Sequence, residues 1–366
     1  MIRTDILVVG GGPAGLATAI AASRRGFRVA VADGRQPPID KACGEGLMPD
    51  ALAAAGRLGI SIPIDESFLF RGIRFANSVG QAAAGFPRGF GIGVRRTALH
   101  RVLVEQAERA GVSLHWGDPV VAMDSELVRT RSATFRPQWI IGADGDRSRV
   151  REWAGLNTCS REVRRFGFRR HHRIAPWTNF MEIYWGFGFQ VYVTPIAPEE
   201  VCVALISRDP HLRIDDALAE FPELNERLAR AEQMSSERGA VTATRRLRDI
   251  YRGRVALVGD ASGSVDAITG EGLCVAFQQA LALVDALERE DLHAYSRAHR
   301  RIARRPTFMA DFMLLMDRWP LLQSRAMHVF AKRPDIFARL LAMHVGQLPI
   351  FDFAAASLGL AWRMLL

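Results

Sequence analysis

The stretch Ile6-Leu7-Val8-Val9-Gly10-Gly11-Gly12-Pro13-Ala14-Gly15, close to the start of the chain, decides the fold. An apolar run leads into the glycines, and a segment rich in Ala and Leu follows from Leu16 to Arg25. Pro13 suits the first position of a helix, where its missing N–H is not needed. The pattern predicts a strand, a tight loop and a helix, which together open a βαβ unit.

The glycine spacing in this loop is typical of dinucleotide binding. We expect Gly10 to form the tight turn, Gly12 to let the backbone approach a pyrophosphate, and Gly15 to let the helix pack on the strand. A second predicted strand leads to Asp33, at the distance where a carboxylate accepts hydrogen bonds from a ribose. The loop therefore predicts a phosphate site at the amino end of the first helix.

Composition places the chain among globular proteins. Its 366 residues allow two domains, at roughly 100–200 residues each. Apolar residues make up 49% and charged residues 24%, which excludes a disordered protein. The net charge of +9 comes from scattered arginines that no nucleic-acid-binding motif accompanies, so we expect no nucleic-acid partner.

The cysteines and the apolar runs exclude further classes. Cys43, Cys159, Cys202 and Cys274 are far apart, so we expect neither a disulfide framework nor a metal site. No apolar run reaches the ~18 residues of a transmembrane helix. The chain enters its first predicted strand almost at once, without a secretory leader, and we expect a cytoplasmic protein.

The remaining segments predict an interrupted α/β arrangement that ends in helices. Predicted helices occupy 96–110, 211–233 and 271–289, and the chain after about 291 is helical throughout. Residues 112–143 look like a β-meander, and further strands are predicted at 181–185, 190–194, 201–206 and 254–258.

Two later motifs occur together with the glycine loop. Asp144-Gly145-Asp146-Arg147-Ser148-Arg149-Val150-Arg151 matches the pattern D-G-x-x-S-x-h-R, and Gly259-Asp260-Ala261 follows a short apolar strand. In this order the three motifs resemble those of the superfamily that includes flavoprotein monooxygenases, the aromatic hydroxylases among them, and geranylgeranyl reductases. The resemblance covers about residues 1–300.

The resemblance implies a Rossmann-type, glutathione reductase-like FAD-binding domain with an inserted β-sheet substrate domain and a C-terminal helical segment. The FAD domain would comprise residues 1–159 and 246–300, the substrate domain 160–245, and the helical segment 301–366. FAD would be bound non-covalently, with NAD(P)H as the reductant.

The resemblance also implies which residues hold FAD. Thr269 to Leu273 open a helix whose N–H groups would face the flavin edge that gains negative charge on reduction; in a plainer interpretation, its glycines only start the helix. Arg96 matches an arginine that lines the cofactor, although it could instead be a solvated helix-cap residue, and Arg95 competes for the role. The predicted cofactor-binding residues are Gly10, Gly12, Pro13, Ala14, Gly15, Asp33, Arg35, Arg96, Val120, Asp144, Gly145, Gly259, Asp260, Gly270, Glu271, Gly272 and Leu273.

The sequence departs from the aromatic hydroxylases at some positions. Gly263 stands where those enzymes usually have a His after Gly-Asp-Ala, and the segment from Gly259 to Gly272 looks more like the reductases. Lys41-Ala42-Cys43-Gly44-Glu45-Gly46 resembles the K-P-C-G-x-G segment of reductases and halogenase-like monooxygenases. The W-x-W-x-I-P motif of halogenases is absent, which argues against halogenation.

Candidate catalytic and substrate residues are fewer. Cys43 and Glu45 could act near the flavin, although Cys43 could be a small buried hydrophobe and Glu45 could cap a backbone turn. An aromatic strand pair in the inserted sheet predicts a substrate surface, unless its aromatic residues form an ordinary sheet core. The candidate substrate residues are Tyr184, Gly186, Tyr192 and His171, with an exposed His171–His172 pair as the alternative for His171.

Two activities compete. In the first, which we favour, reduced FAD reacts with O2, and the flavin C4a-hydroperoxide hydroxylates or epoxidises an apolar aromatic or polyketide-like molecule of secondary metabolism. In the second, reduced FAD saturates a C=C bond of an isoprenoid-like substrate. A non-catalytic FAD-binding protein is the alternative of another class.

The C-terminal segment carries a predicted apolar stripe preceded by arginines. Phe308, Phe312, Leu315 and Trp319 recur at helical spacing. We expect the stripe to pack on the FAD domain or to close the substrate pocket. Peripheral membrane contact through these helices is the minor alternative, and we expect a monomer or a homodimer.

Overall fold

The computed structural model describes residues 1–124 and 126–349, with backbone alone for 160–162. The strands are β1 (Ile2–Val9), β2 (Val29–Asp33), β3 (Gly46–Leu47), β4 (Ser67–Phe70), β5 (Gly72–Ala76), β6 (Gln81–Gly85), β7 (Gly91–Val94), β8 (Ser113–Trp116), β9 (Val120–Met123), β10 (Val128–Thr130), β11 (Thr134–Gly142), β12 (Cys159–Arg173), β13 (Met181–Trp185), β14 (Phe189–Ala197), β15 (Glu200–Ser207), β16 (Glu232–Gln233), β17 (Arg238–Leu247), β18 (Tyr251–Arg252) and β19 (Val255–Leu257). The helices are α1 (Pro13–Arg24), α2 (Pro49–Arg57), α3 (Arg96–Arg109), α4 (Arg149–Trp153), α5 (Ile214–Leu218), α6 (Pro222–Ala229), α7 (Gly272–Glu288), α8 (Leu292–Arg318), α9 (Pro320–Lys332) and α10 (Pro334–His344).

The first sheet confirms the predicted Rossmann-type arrangement. β1 pairs in parallel with β2 and β11, and β19 and β8 extend the parallel sheet on either side. Ile6 and Val8 belong to the apolar cluster formed with α1, α3 and α7, whereas Leu7 and Val9 belong to a cluster on the opposite face. Both faces of β1 are covered, which explains why its sequence is a continuous apolar run.

The segment predicted as a β-meander, residues 112–143, divides between two pairing patterns. β9, β10 and β11 form an antiparallel meander as expected. β8 instead pairs in parallel with β2, from Ala30 opposite Ser113 to Asp33 opposite Trp116. Because α3 lies between β2 and β8 in the chain, the pair is joined by a crossover, which gives parallel strands.

The second sheet has the order β16-β12-β15-β14-β13-β5-β6, and β17 pairs with β12. Its central strands come from residues 160–245, the segment predicted to form the substrate domain. β5 and β6 join the sheet from residues 72–85, through a parallel pairing of β5 with β13. The sheet therefore also draws on the part of the chain that the sequence assigned to the FAD domain, and the boundaries stay a prediction.

Alternation along the strands gives this second sheet two different faces. On its outer face, α5 and α6 pack against Val191, Val203 and Leu205. On its inner face, Ile183, Trp185, Tyr192 and Ala204 share an apolar cluster with α8, α9 and α10. The C-terminal helices thus cover the inner face of the second sheet.

The docked face of α8 differs in part from the predicted stripe. Met309, Met313 and Met316 are buried, and Phe312 packs beside them, but Phe308, Leu315 and Trp319 are 37%, 48% and 54% exposed. The predicted stripe as a whole is therefore not the packing face, because each buried methionine lies one residue after a residue of the stripe. Among the described residues, no helix has both the length and the apolarity needed to span a membrane.

Candidate cofactor and substrate site

The three sequence motifs meet at one edge of the first sheet. The glycine loop follows β1, Asp144 follows β11, and Gly259 follows β19, and these strands are neighbours in the parallel sheet. Ligands of open α/β sheets bind outside the carboxyl ends of the strands. The structure therefore brings the predicted FAD residues of distant segments to one place.

The glycine loop has the geometry that its spacing predicts. Gly10 has a φ of +110°, and a Cβ on Gly15 would overlap the Gly10 carbonyl oxygen, so both positions need glycine. A Cβ on Gly12 would meet nothing within 4 Å, so open space lies in front of the loop. The Gly11 N–H donates to Asp33 Oδ2 at 2.7 Å, which fixes Asp33 beside the loop.

The Asp144 motif is held together by its own side chains. Asp144 accepts hydrogen bonds from the backbone N–H groups of Arg149 and Val150, at 2.8 and 3.2 Å, and from the Ser148 hydroxyl. Arg151 donates to the Ala261 carbonyl oxygen at 3.1 Å, which ties this motif to the one that begins at Gly259. Asp144 is thus committed to shaping the turn.

Asp260 forms an ion pair that the sequence analysis missed. Lys41 Nζ lies 3.0 Å from Asp260 Oδ2, and the ammonium group lowers the pKa of the Asp260 carboxyl group. The pKa of Lys41 is raised mainly by the same contact. The sequence analysis did single out the segment that begins at Lys41 and resembles K-P-C-G-x-G. It gave no indication that Asp260 is the partner of Lys41.

The helix α7 begins at Gly272, after a turn in which the N–H groups of Thr269 and Gly270 donate to the carbonyl oxygens of Asp266 and Ala267. No side chain caps its amino end, where Glu271 is the N-cap, and Cβ atoms on Gly270 and Gly272 would meet nothing within 4 Å. Glu271 is turned toward the C-terminal helices, where Arg305 Nη2 lies 3.2 Å from Oε1 and His344 Nδ1 lies 3.5 Å from Oε2. Burial raises the pKa of Glu271. Its backbone, rather than its carboxylate, faces the open space.

Glu45 lies in a buried polar cluster beneath the cysteine loop. Its Oε1 accepts the Arg96 N–H at 2.9 Å, and its Oε2 lies 2.8 Å from His171 Nε2. Glu45 is 2% exposed and His171 1% exposed, so the exposed-pair alternative for His171 and His172 is wrong. With its oxygens occupied, Glu45 holds the loop and Arg96 in place.

Arg169 is a further member of this cluster. Arg169 Nη1 lies 3.1 Å from His171 Nδ1, and a guanidinium group can only donate. Ser235 Oγ lies 2.9 Å from the same ring nitrogen, so Nδ1 has two polar neighbours. Glu45, His171 and Cys202 offer ligand atoms within 4.8 Å of one another, but the Arg169 charge beside them opposes a cation.

The cysteine loop reaches the inner face of the second sheet. Thr194 Oγ1 donates to the Gly44 carbonyl oxygen at 2.7 Å, and Cys202 Sγ lies 3.7 Å from the Cys43 carbonyl oxygen. Cys43 itself is half-buried. The loop thus lies between the FAD residues and the substrate sheet.

The predicted substrate tyrosines occupy opposite faces of that sheet. Tyr192 is on the inner face, where its hydroxyl donates to the Ile268 carbonyl oxygen at 2.7 Å, next to the start of α7. Tyr184 is on the outer face, where its ring packs edge-on against Phe221 of the α5–α6 layer. The side chains of Tyr184 and Tyr192 point to opposite faces of the second sheet, so they cannot line one pocket. Gly186 follows β13, and its carbonyl oxygen accepts from Gln323 of α9.

Two inner-face donors were missed by the sequence analysis. Trp185 and Gln190 are paired across β13 and β14. Trp185 Nε1 and Gln190 Nε2 are buried and have no hydrogen-bond partner among the described residues. Because unpaired buried donors are costly, these N–H groups are candidates for a ligand contact.

Two other predicted cofactor residues have more limited roles. Arg35 is exposed, and its N–H donates to Asp33 Oδ1 at 2.8 Å. Val120 lies in β9 with its side chain buried against Val128 and Phe135. Any contact of Val120 with a nucleotide would have to come from its backbone.

The site fits FAD. The amino ends of α1 and α7 lack side-chain caps, so their amides can bind the pyrophosphate and the flavin edge. Arg96 is buried, and its Nε has no hydrogen-bond partner among the described residues. FAD would supply the redox chemistry, while Gly12, Asp33, Asp260 and Gly272 would hold it.

The chain is similar to known proteins over most of its length. The chain is 27% identical over 324 residues to a menaquinone reductase of Mycobacterium tuberculosis, covering 79% of this chain and 77% of that protein. It is 26% identical over 300 residues to a digeranylgeranylglycerophospholipid reductase of Thermoplasma volcanium, covering 74% of each. The solved structure of p-nitrophenol 4-monooxygenase from Pseudomonas putida superposes with a TM-score of 0.79 at 18% identity, covering 95% of this chain and 100% of that one.

The family assignment itself comes from residues 3–290, which match the FAD binding domain family. This region includes the glycine loop, the Asp144 motif, Asp260 and the amino end of α7. The chain belongs to the FAD binding domain family and is an FAD-dependent oxidoreductase.

Proposed function

We propose that the protein is a NAD(P)H-dependent monooxygenase that hydroxylates or epoxidises an apolar aromatic or polyketide-like molecule. The main support is the apolar cluster between the inner face of the second sheet and the C-terminal helices, beside the start of α7. Its methionines are Met48, Met181, Met309, Met316, Met327 and Met343. Methionine side chains adapt to irregular apolar shapes, so such a cluster suits a hydrophobic substrate.

The polar groups in this cluster indicate what part of the substrate is recognised. Trp185 Nε1 and Gln190 Nε2 are buried donors that have no partner within the part of the chain that the structure describes. A phenol, phenolate or ketone oxygen could accept from both while its apolar body contacts the methionines. A hydrocarbon without oxygen would leave both donors unsatisfied, at a cost of about 1–3 kcal/mol for each.

The buried Glu45 cluster would act on position rather than on the substrate. Glu45 holds the Arg96 backbone and His171, and these contacts fix the loop that carries Cys43. A fixed loop would keep water from this side of the site. FAD, when bound, would supply the two-electron redox chemistry and the reaction with O2.

A reductase that saturates a C=C bond is the second candidate. It is favoured by two relatives aligned over about three quarters of their length, which are named as a menaquinone reductase and a digeranylgeranylglycerophospholipid reductase. The same apolar cluster would accept an isoprenoid chain.

One experiment separates these activities. NADPH is added to the FAD-loaded protein in air and under argon, with a panel of apolar phenols and polyprenyl substrates. Substrate-stimulated O2 uptake supports the monooxygenase if the product contains one oxygen atom from isotopically labelled O2. A saturated product formed under argon refutes it in favour of the reductase, and a flavin that NAD(P)H cannot reduce indicates a binding protein.

A further inference from the structure

A second cavity lies between β17, α7 and α8 and is bordered by part of the Gly259–Gly270 segment. Its volume is about 440 Å³, which is within the range of small-molecule sites. Ser262 to Asp266 form one wall, and Val275 and Gln279 of α7 form the floor. This cavity is distinct from the space in front of the glycine loop.

The rim of this cavity is strongly basic. Its arginines are Arg245, Arg246, Arg248, Arg300 and Arg304. The two carboxylates among its described lining residues are already engaged, since Asp266 pairs with the buried Arg165 at 2.8 Å and Asp311 pairs with Arg246 at 3.3 Å. The rim therefore has an excess of positive charge.

Arg300 and Arg304 contribute the charge that is most available. They lie one turn apart on α8, and both are exposed. No carboxylate of the described residues pairs with either guanidinium group. Two guanidinium groups at the mouth of a cavity can donate charge-assisted hydrogen bonds to a phosphate or a carboxylate.

The interior of the cavity is neutral. His299 Nε2 lies 2.9 Å from Ser262 Oγ, and burial lowers the pKa of His299 to about 4, so its ring is uncharged at neutral pH. Ala303, Ala310 and Leu314 line the same space with apolar surface. Charge at the mouth and apolar surface inside match a ligand with an anionic head and an apolar body.

We propose that this cavity binds a small anionic amphiphile, whose phosphate or carboxylate head contacts Arg300 and Arg304 and whose apolar part lies against Ala303 and Leu314. Its wall is the segment that carries Asp260, so the ligand would bind next to the FAD site without entering it. The proposal does not depend on which reaction the flavin site performs.

Calorimetric titration of the FAD-loaded protein tests the proposal. Octyl phosphate and octanoate are the probes, and inorganic phosphate and octanol provide head and tail alone. We expect one octyl phosphate or octanoate per chain, with flavin retained, and much weaker binding of phosphate and octanol. The relative affinities of octyl phosphate and octanoate identify the preferred head group.

Variants locate the binding. The double substitution Arg300→Ala and Arg304→Ala should weaken probe binding at least about tenfold. The matched control is Arg301→Ala with Arg318→Ala, two exposed arginines of α8 outside the cavity, and should leave binding unchanged. Ala303→Trp should fill the interior and abolish binding while the protein keeps its flavin.

Several results would overturn the assignment. These are the absence of binding by both probes, equal losses in the two double variants, or release of FAD during the titration. If NADPH displaces octyl phosphate at a concentration lower than that of octyl phosphate, the cavity is a nucleotide site. This result would also reject the amphiphile.

Discussion

Lys41 Nζ lies 3.0 Å from Asp260 Oδ2, and this ion pair joins two segments separated by 219 residues. Lys41 belongs to the loop that touches the second sheet, and Asp260 belongs to the motif at the edge of the first sheet. The contact therefore connects the predicted cofactor site to the predicted substrate site.

Replacing Lys41 should weaken cofactor binding. In Lys41→Met, the pKa of Asp260 should rise toward its usual value, and the loop should lose its anchor. Loss of one charge-assisted contact predicts an FAD dissociation constant higher by about tenfold. Flavin fluorescence titration measures it. Lys332→Met, a change at the chain's other lysine, is the control, and equal affinities in the two variants would argue against the anchor.

Gly12→Val should give a folded but colourless protein. A Cβ at this position would have no atom of the described residues within 4 Å, so we expect the fold to tolerate the valine, yet the side chain would fill the place expected for the pyrophosphate. The absorbance ratio of flavin to protein after purification is the measurement. Gly56→Val, in the exposed part of α2 where a Cβ also meets nothing, is the control. Full flavin occupancy in Gly12→Val would show that FAD lies elsewhere.

Trp185→Phe should impair substrate binding more than turnover. The ring remains, but the Nε1 donor is lost, and one missing hydrogen bond predicts a KM higher by about fivefold. Steady-state O2 uptake, with the phenol that stimulates it most, measures KM and kcat separately. Trp153→Phe, in α4, should change neither. A normal KM in Trp185→Phe would remove this donor from the substrate site.

Acid should destabilise the protein partly through His172. Burial, and secondarily Arg170, lowers the pKa of His172 to about 4, and neither ring nitrogen has a hydrogen-bond partner among the described residues. A histidine with a lowered folded pKa gains its proton on unfolding, so stability falls as the pH falls from about 6.5 toward 4. The full effect is at most about 3 kcal/mol.

The variant His172→Phe should lose this part of the pH dependence. The measurement is the free energy of unfolding between pH 7 and pH 4, compared with the wild-type protein. His211→Phe, at an exposed position, should keep the wild-type slope. If both variants follow the wild-type curve, the acid sensitivity arises from other groups.

Removing residues 307–366 should expose the inner face of the second sheet. Ile183, Trp185 and Phe75 would lose their contacts with α9 and α10, so we expect insoluble protein or protein with little flavin. Flavin content and sedimentation with anionic liposomes are measured on the truncated and full-length chains. A soluble yellow truncation that has lost liposome binding would favour membrane attachment over docking.

The local sequence determined the FAD domain. The glycine loop, the Asp144 motif and Gly259-Asp260 are contiguous patterns, and each follows a strand whose apolar run is visible in the sequence. Parallel strands in such a sheet present their carboxyl ends at one edge. The meeting of these motifs could therefore be predicted without the coordinates.

Tertiary structure alone decided the substrate side. Whether Tyr184 or Tyr192 faces the cofactor depends on which layer covers each face of the second sheet, and that is set by α5, α6 and the C-terminal helices. The contacts of Glu45 with His171, of Lys41 with Asp260 and of the arginine rim around the second cavity each join segments far apart in the chain. A local pattern carries no information on such partners, because they are brought together only when the sheets and helices pack.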